Sequence, residues 1–206
     1  VPEGEGPAPV LLLIHGWTGN ENVMWIFTSR LSTRYLILAP RGLYPAPEGG
    51  YGWEPRSQPG GPKVDDFRPA IDDLLCLLDD LGSGDNPSLL NIARPNFSKL
   101  NIMGFSQGAA LSYTLALLYP ERVQRLAGLA GFLPVDAASL VGSRPLLYKP
   151  VFVAHGRLDK RVPVERARAA VSLLDEAGAN VSYCEDEVGH KLAASCFNRL
   201  EQFFAL

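Results

Sequence analysis

Short apolar runs alternate along this chain with longer stretches of helical periodicity. Residues 10–14, 35–39, 100–103, 126–130, 151–154 and 181–184 read as strands. Most are apolar at successive positions, as strands covered on both faces should be. Between them, 21–32, 64–81, 106–119, 164–177 and 190–204 read as helices. The second carries the clearest stripe: Phe67, Ile71, Leu74, Leu75, Leu78 and Leu81 share one side, with Asp65, Asp66, Asp72, Asp73, Asp79 and Asp80 mostly opposite. Pro120 and Gly178 supply stop signals. This strand–helix alternation predicts an α/β protein with a mostly parallel sheet of about six to seven strands and helices on both faces. One stretch breaks the rhythm. Residues 40–62 hold six prolines and six glycines together with Tyr44, Tyr51 and Trp53. Loops of this length are uncommon, and three large aromatics predict an ordered one packed near a site.

Composition narrows the function classes. At 206 residues the chain is expected to form a single domain, 1–206, without internal repeats. A net charge of −3 argues against a nucleic-acid platform, which would show a basic face. No apolar run approaches the roughly 18 residues of a membrane span, and the first nine residues lack the order of a signal peptide. Cys76, Cys184 and Cys196 are too few for a disulfide framework or a four-cysteine zinc site. The expectation is three reduced, buried thiols in a cytoplasmic protein.

The first chemical signal is Gly104-Phe105-Ser106-Gln107-Gly108, a G-x-S-x-G pattern. Alone it is weak. Here a short apolar strand precedes it and an apolar helix follows, the setting in which a sharp turn lifts a serine hydroxyl above a sheet. The helix start also aims backbone N–H groups and a positive dipole end at the site. Three histidines compete as base. His15 and His155 end apolar strands and precede glycine, a setting that favours structural bonds to loop backbone. His190 follows the last strand, where function collects in such sheets. Asp159, a short loop beyond the 151–154 strand, is the best acid between serine and histidine; Asp136 reads as a helix cap and 185–187 as a solvated turn. The order Ser106, Asp159, His190 is that of one class of hydrolase. Oxyanion donors are expected at Gln107, after the nucleophile, and at Trp17 in the turn His15-Gly16-Trp17-Thr18-Gly19.

Taken together with Ala130-Gly131-Phe132-Leu133-Pro134 and the run from His155-Gly156 to Val162-Pro163, these motifs resemble the small serine carboxylesterases of the phospholipase/carboxylesterase family, relatives of acyl-protein thioesterases on the α/β-hydrolase fold. The resemblance implies a Ser106–Asp159–His190 triad, Trp17 and Gln107 at the oxyanion, and no cofactor or metal. Thr18 stands where thioesterase members carry glycine, and Gly50-Tyr51-Gly52-Trp53-Glu54-Pro55 looks more like the bacterial carboxylesterase branch.

No insertion is long enough for a cap domain, so a shallow pocket is expected, walled by Trp17, Trp53, Phe132 and Leu133, with Trp25 either joining them or packing in the core. Short-chain or aryl esters would suit it. The expected partner is a small-molecule ester, with no nucleic acid and no membrane span; the oligomeric state stays open. The rival readings are an acyl-protein thioesterase or lysophospholipase-type hydrolase, and a non-catalytic binding protein on the same fold.

Overall fold

A computed structural model describes residues 7–29, 31, 34–55, 60–83 and 95–205. The first six residues, the end of the expected 21–32 helix and residues 56–59 of the proline- and glycine-rich stretch lie outside them.

Six strands form one parallel sheet: β1 (Pro9–Ile14), β2 (Leu36–Leu38), β5 (Asn96–Phe105), β6 (Val123–Leu129), β7 (Pro150–Gly156) and β8 (Asn180–Asp186), in the order β2-β1-β5-β6-β7-β8. Each of the six expected runs supplies one strand. The reason is visible in the side chains. Val10, Leu12 and Ile14 enter one apolar cluster, whereas Leu11 and Leu13 enter the other. Val151 and Val153 part from Phe152 and Ala154 in the same way. A strand feeding two cores must be apolar at every position.

The first cluster is covered by α1 (Val64–Gly82), α2 (Gln107–Leu118) and α3 (Val164–Glu176). The second is covered by α4 (Ala194–Ala205) with Met24 and Phe27. Helix α2 is buried along 107–117, which explains why its sequence carries no polar face. No helix among the described residues is long and apolar enough to cross a membrane.

Two expectations are corrected and a third is made specific. The helix expected at 21–32 is only a five-residue 3-10 segment, Val23–Phe27. Its buried residues, Met24 and Phe27, are three apart, the repeat of that tighter helix, and Val, Ile and the aromatics around them are weak α-helix formers. Residues 40–55 are ordered, as their aromatics predict, and fold into a small antiparallel hairpin of β3 (Tyr44–Pro45) and β4 (Tyr51–Gly52). The cysteines are neither all reduced nor all buried. Cys184, near the end of β8, is bonded to Cys196 in the first turn of α4, and Cys76 is exposed. Their Cα atoms lie 5.7 Å apart, in the usual range for a bridged pair, because α4 folds back against β8.

Candidate active site

Ser106 sits between β5 and α2 with φ of 54°, a conformation that costs a non-glycine residue energy and that the surroundings must enforce. The neighbouring glycines make the enforcement possible. A Cβ on Gly104 would lie 2.4 Å from the Gly108 carbonyl oxygen, and one on Gly108 would lie 2.2 Å from that of Ile14. The serine's own N–H donates to the Leu129 carbonyl at 2.8 Å, tying the turn to β6.

The acid and the histidine come from the loops after β7 and β8. His190 Nδ1 donates to Asp159 Oδ2 at 2.6 Å, and His190 Nε2 lies 3.0 Å from Ser106 Oγ. Asp159 is wholly buried at its side chain. Burial alone would raise its carboxyl. The Val162 N–H, the His190 ring and the Arg161 N–H outweigh that and hold it below the usual carboxylate range. The Phe105 ring meets the His190 ring edge-on, with centroids 5.0 Å apart. The two loops are joined by backbone bonds: Arg157 N–H to Asp186 O at 2.8 Å and Leu158 N–H to Val188 O at 3.0 Å.

His15 and His155 hold loops, as their strand-end positions predict. His155 Nε2 lies 2.8 Å from the Val162 carbonyl. His15 Nε2 accepts the Gly42 N–H at 2.9 Å, which leaves Nδ1 to donate to the Gly16 carbonyl at 2.7 Å. Burial holds the His15 imidazole below the ordinary histidine value. Asp136 accepts the Val64 N–H at 2.9 Å, at the start of α1.

The turn carrying Trp17 lies against the serine: a Cβ on Gly16 would be 3.1 Å from that of Ser106. Neither the Trp17 nor the Gln107 N–H has an acceptor among the described residues. Gln107 is the first residue of α2, so its N–H has no partner within the helix.

Beside Ser106 and His190 opens a cavity of about 1260 Å³. Its apolar walls include Trp17, Val23, Ile26, Phe27, Phe105 and Phe197. Its volume lies above the roughly 300–1,000 Å³ usual for small-molecule sites, and its walls differ from those expected. Of the four expected wall residues, Trp17 lines it and Trp53, Phe132 and Leu133 do not. Trp53 is 2 % exposed and donates its ring N–H to the His15 carbonyl at 2.7 Å. Phe132 and Leu133 are buried, with the Arg166 guanidinium over the Phe132 ring. Trp25 is 44 % exposed and belongs to neither cluster. Sequence reasoning missed the wall formed by Val23, Ile26 and Phe27 because those residues read as one face of a regular helix. Phe105, inside the serine motif, was the legible signal for the ring beside His190.

A parallel sheet with a serine at a strand-to-helix turn, and an acid and a histidine on later loops, defines the α/β-hydrolase fold. The chain belongs to the Phospholipase/Carboxylesterase family, whose model matches residues 94–206. Carboxylesterase SOBER1 of Arabidopsis thaliana is 34% identical over 95 residues, which are 45% of this chain and 41% of that protein. A probable inactive carboxylesterase of Oryza sativa subsp. japonica is 30% identical over 93 residues, 44% of this chain and 38% of its own length. The matches thus span about two fifths of these relatives. Among solved structures, esterase PE8 superposes with a TM-score of 0.81 at 19% identity, covering 100% of this chain and 95% of its own. A Bacillus cereus carboxylesterase gives 0.81 at 22% identity, covering 96% and 87%.

Proposed function

We propose that residues 1–206 act as one α/β-hydrolase domain that hydrolyses carboxylic esters through an acyl-serine intermediate. The supporting observation is the continuous hydrogen-bonded line from Asp159 through His190 to Ser106. His190 takes the Ser106 proton as Oγ attacks the ester carbonyl, then gives it to the departing alkoxide. Asp159 fixes the imidazole tautomer and stabilises the imidazolium. The Trp17 and Gln107 N–H groups receive the oxyanion. Water, activated by His190, then releases the acid and restores Ser106. None of these steps needs a cofactor or metal.

The substrate class is an ester with an apolar arm. Short-chain and aryl esters fit, and the cavity exceeds the roughly 300–1,000 Å³ usual for small-molecule sites. That size favours a longer acyl arm, as in the thioesterase or lysophospholipase-type alternative. The expected cytoplasmic placement has an observation against it, since a bond such as Cys184–Cys196 persists in oxidising compartments.

The test is hydrolysis of p-nitrophenyl esters from two to twelve carbons by the wild type and by Ser106→Ala. The expected result is activity that extends past short chains and falls at least about 10³-fold in the variant. Wild-type rates in Ser106→Ala would refute the nucleophile, and a sharp cut-off after four carbons would refute the longer arm.

A further inference from the structure

The hairpin of residues 44–52 and the two residues after it raise a question that the triad does not answer. Trp53 and Glu54 are a tryptophan and a carboxylate, both buried and both far in sequence from the residues they touch. Trp53 N–H donates to the Gln107 side-chain oxygen at 2.9 Å, and the Gln107 amide nitrogen donates to Glu54 Oε1 at 3.2 Å. The Trp53 ring N–H meets the His15 carbonyl at 2.7 Å. The same hairpin returns to the His15–Gly19 turn, where Tyr51 N–H donates to the Gly19 carbonyl at 2.8 Å. Gly52 packs so tightly on the Trp17 ring that a Cβ there would come within 2.2 Å of it.

These contacts fall on Gln107 and on the turn that carries Trp17. Those are the two residues whose backbone N–H groups are assigned to the oxyanion. They follow two neighbouring strands, β1 and β5, which pair up to Ile14 and Gly104; beyond that pairing no backbone hydrogen bond among the described residues joins the 15–19 turn to Gln107. The turn also packs directly on Ser106 and Gly108; the hairpin adds side-chain hydrogen bonds to both donor segments. A donor pair stabilises a developing charge only when both point at one spot before the reaction begins.

We infer that Trp53 and Glu54 are positioning residues that hold the two oxyanion donors in register, Glu54 and the Trp53 N–H by fixing Gln107 and the Trp53 ring N–H by fixing the His15–Trp17 turn. The inference rests on the serine-esterase reading above. It gives the aromatic 40–62 loop a role in shaping the transition state in place of the substrate wall expected from its sequence. Glu54 Oε1 accepts the Gln107 amide N–H, and a glutamine carbonyl in its place can accept the same bond.

The test measures kcat and KM on a p-nitrophenyl ester, with thermal melts, for wild type, Trp53→Phe, Glu54→Ala and Glu54→Gln. A misplaced donor should lower kcat by about 10- to 100-fold and leave KM within about threefold. That is the expected result for Trp53→Phe and Glu54→Ala, with Glu54→Gln recovering most of the loss. Folded Trp53→Phe and Glu54→Ala proteins with wild-type kcat would overturn the inference while leaving the esterase reading in place. A rise in KM alone would also overturn it, by making Trp53 a substrate contact. Should Glu54→Ala fail to fold, Trp53→Phe decides the matter. An inactive wild type would remove the esterase reading and this inference together.

Discussion

The two halves of the site are built by different means. The acid and the histidine lie on neighbouring loops after adjacent strands, joined by backbone hydrogen bonds, with a disulfide closing the segment that carries the histidine. The serine and the Trp17 turn are brought together by close approach at glycines and by side-chain bonds from a hairpin more than 30 residues away in sequence. The first half is held mainly by backbone groups, with the Asp159 carboxylate and one disulfide added. The second depends on a few particular side chains. Substitutions around the second half should therefore cost activity, whereas those around the first, outside the triad itself, should cost stability.

The proposed triad is the exception that tests this contrast most severely. Asp159→Asn keeps the shape of the loop and the acceptor for the Arg161 and Val162 N–H groups, but it cannot hold the imidazole in the required tautomer. A fall in kcat of about 10⁴-fold is expected. A loss below tenfold would mean that Asp159 serves the loop and not His190. The hairpin variants come next, with their smaller effect confined to kcat.

Cutting the disulfide addresses the other half. Replacing Cys184 and Cys196 with serine releases a loop of about a dozen residues, worth roughly 3 kcal/mol by loop-closure arithmetic. For a chain of this size that is a Tm lowered by about 6–12 °C. The backbone bonds between the Arg157–Leu158 and Asp186–Val188 segments remain, so kcat at low temperature should change little. A collapse of kcat with an unchanged Tm would reverse the contrast.

The smallest expected effect is one of pH. His15 is buried and held below its ordinary value, so the folded protein binds a proton there less readily than the unfolded chain does. Its contribution to stability is present above pH of about 6.5 and is lost as the pH falls through and below that value. Tm should decline from pH 7.5 to 5, and His15→Gln should flatten the decline. An equally steep decline in that variant would assign the effect to other groups.

Much of this was legible in the sequence, for reasons that differ by residue. The six sheet strands announced themselves because each feeds two cores. The grouping of Ser106, His190 and Asp159 was legible because histidines are scarce and the serine sits between an apolar strand and an apolar helix. Trp53 misled because an aromatic in a glycine-rich loop looks the same whether it faces a substrate or donates to a carbonyl. The 23–27 segment misled because five bulky apolar residues satisfy a helix pattern without specifying its pitch. The Cys184–Cys196 bond was hidden because it depends on how α4 folds back, which no spacing rule contains.

That bond also changes what a break in the chain would mean. His190 lies inside the ring that Cys184 and Cys196 close. A peptide bond severed within this ring would leave α4, with its Leu200 and Phe204 anchors in the core, still covalently attached to the sheet. The surface segment bearing the histidine could thus be nicked, or opened to make new chain ends, without the molecule dividing into two pieces.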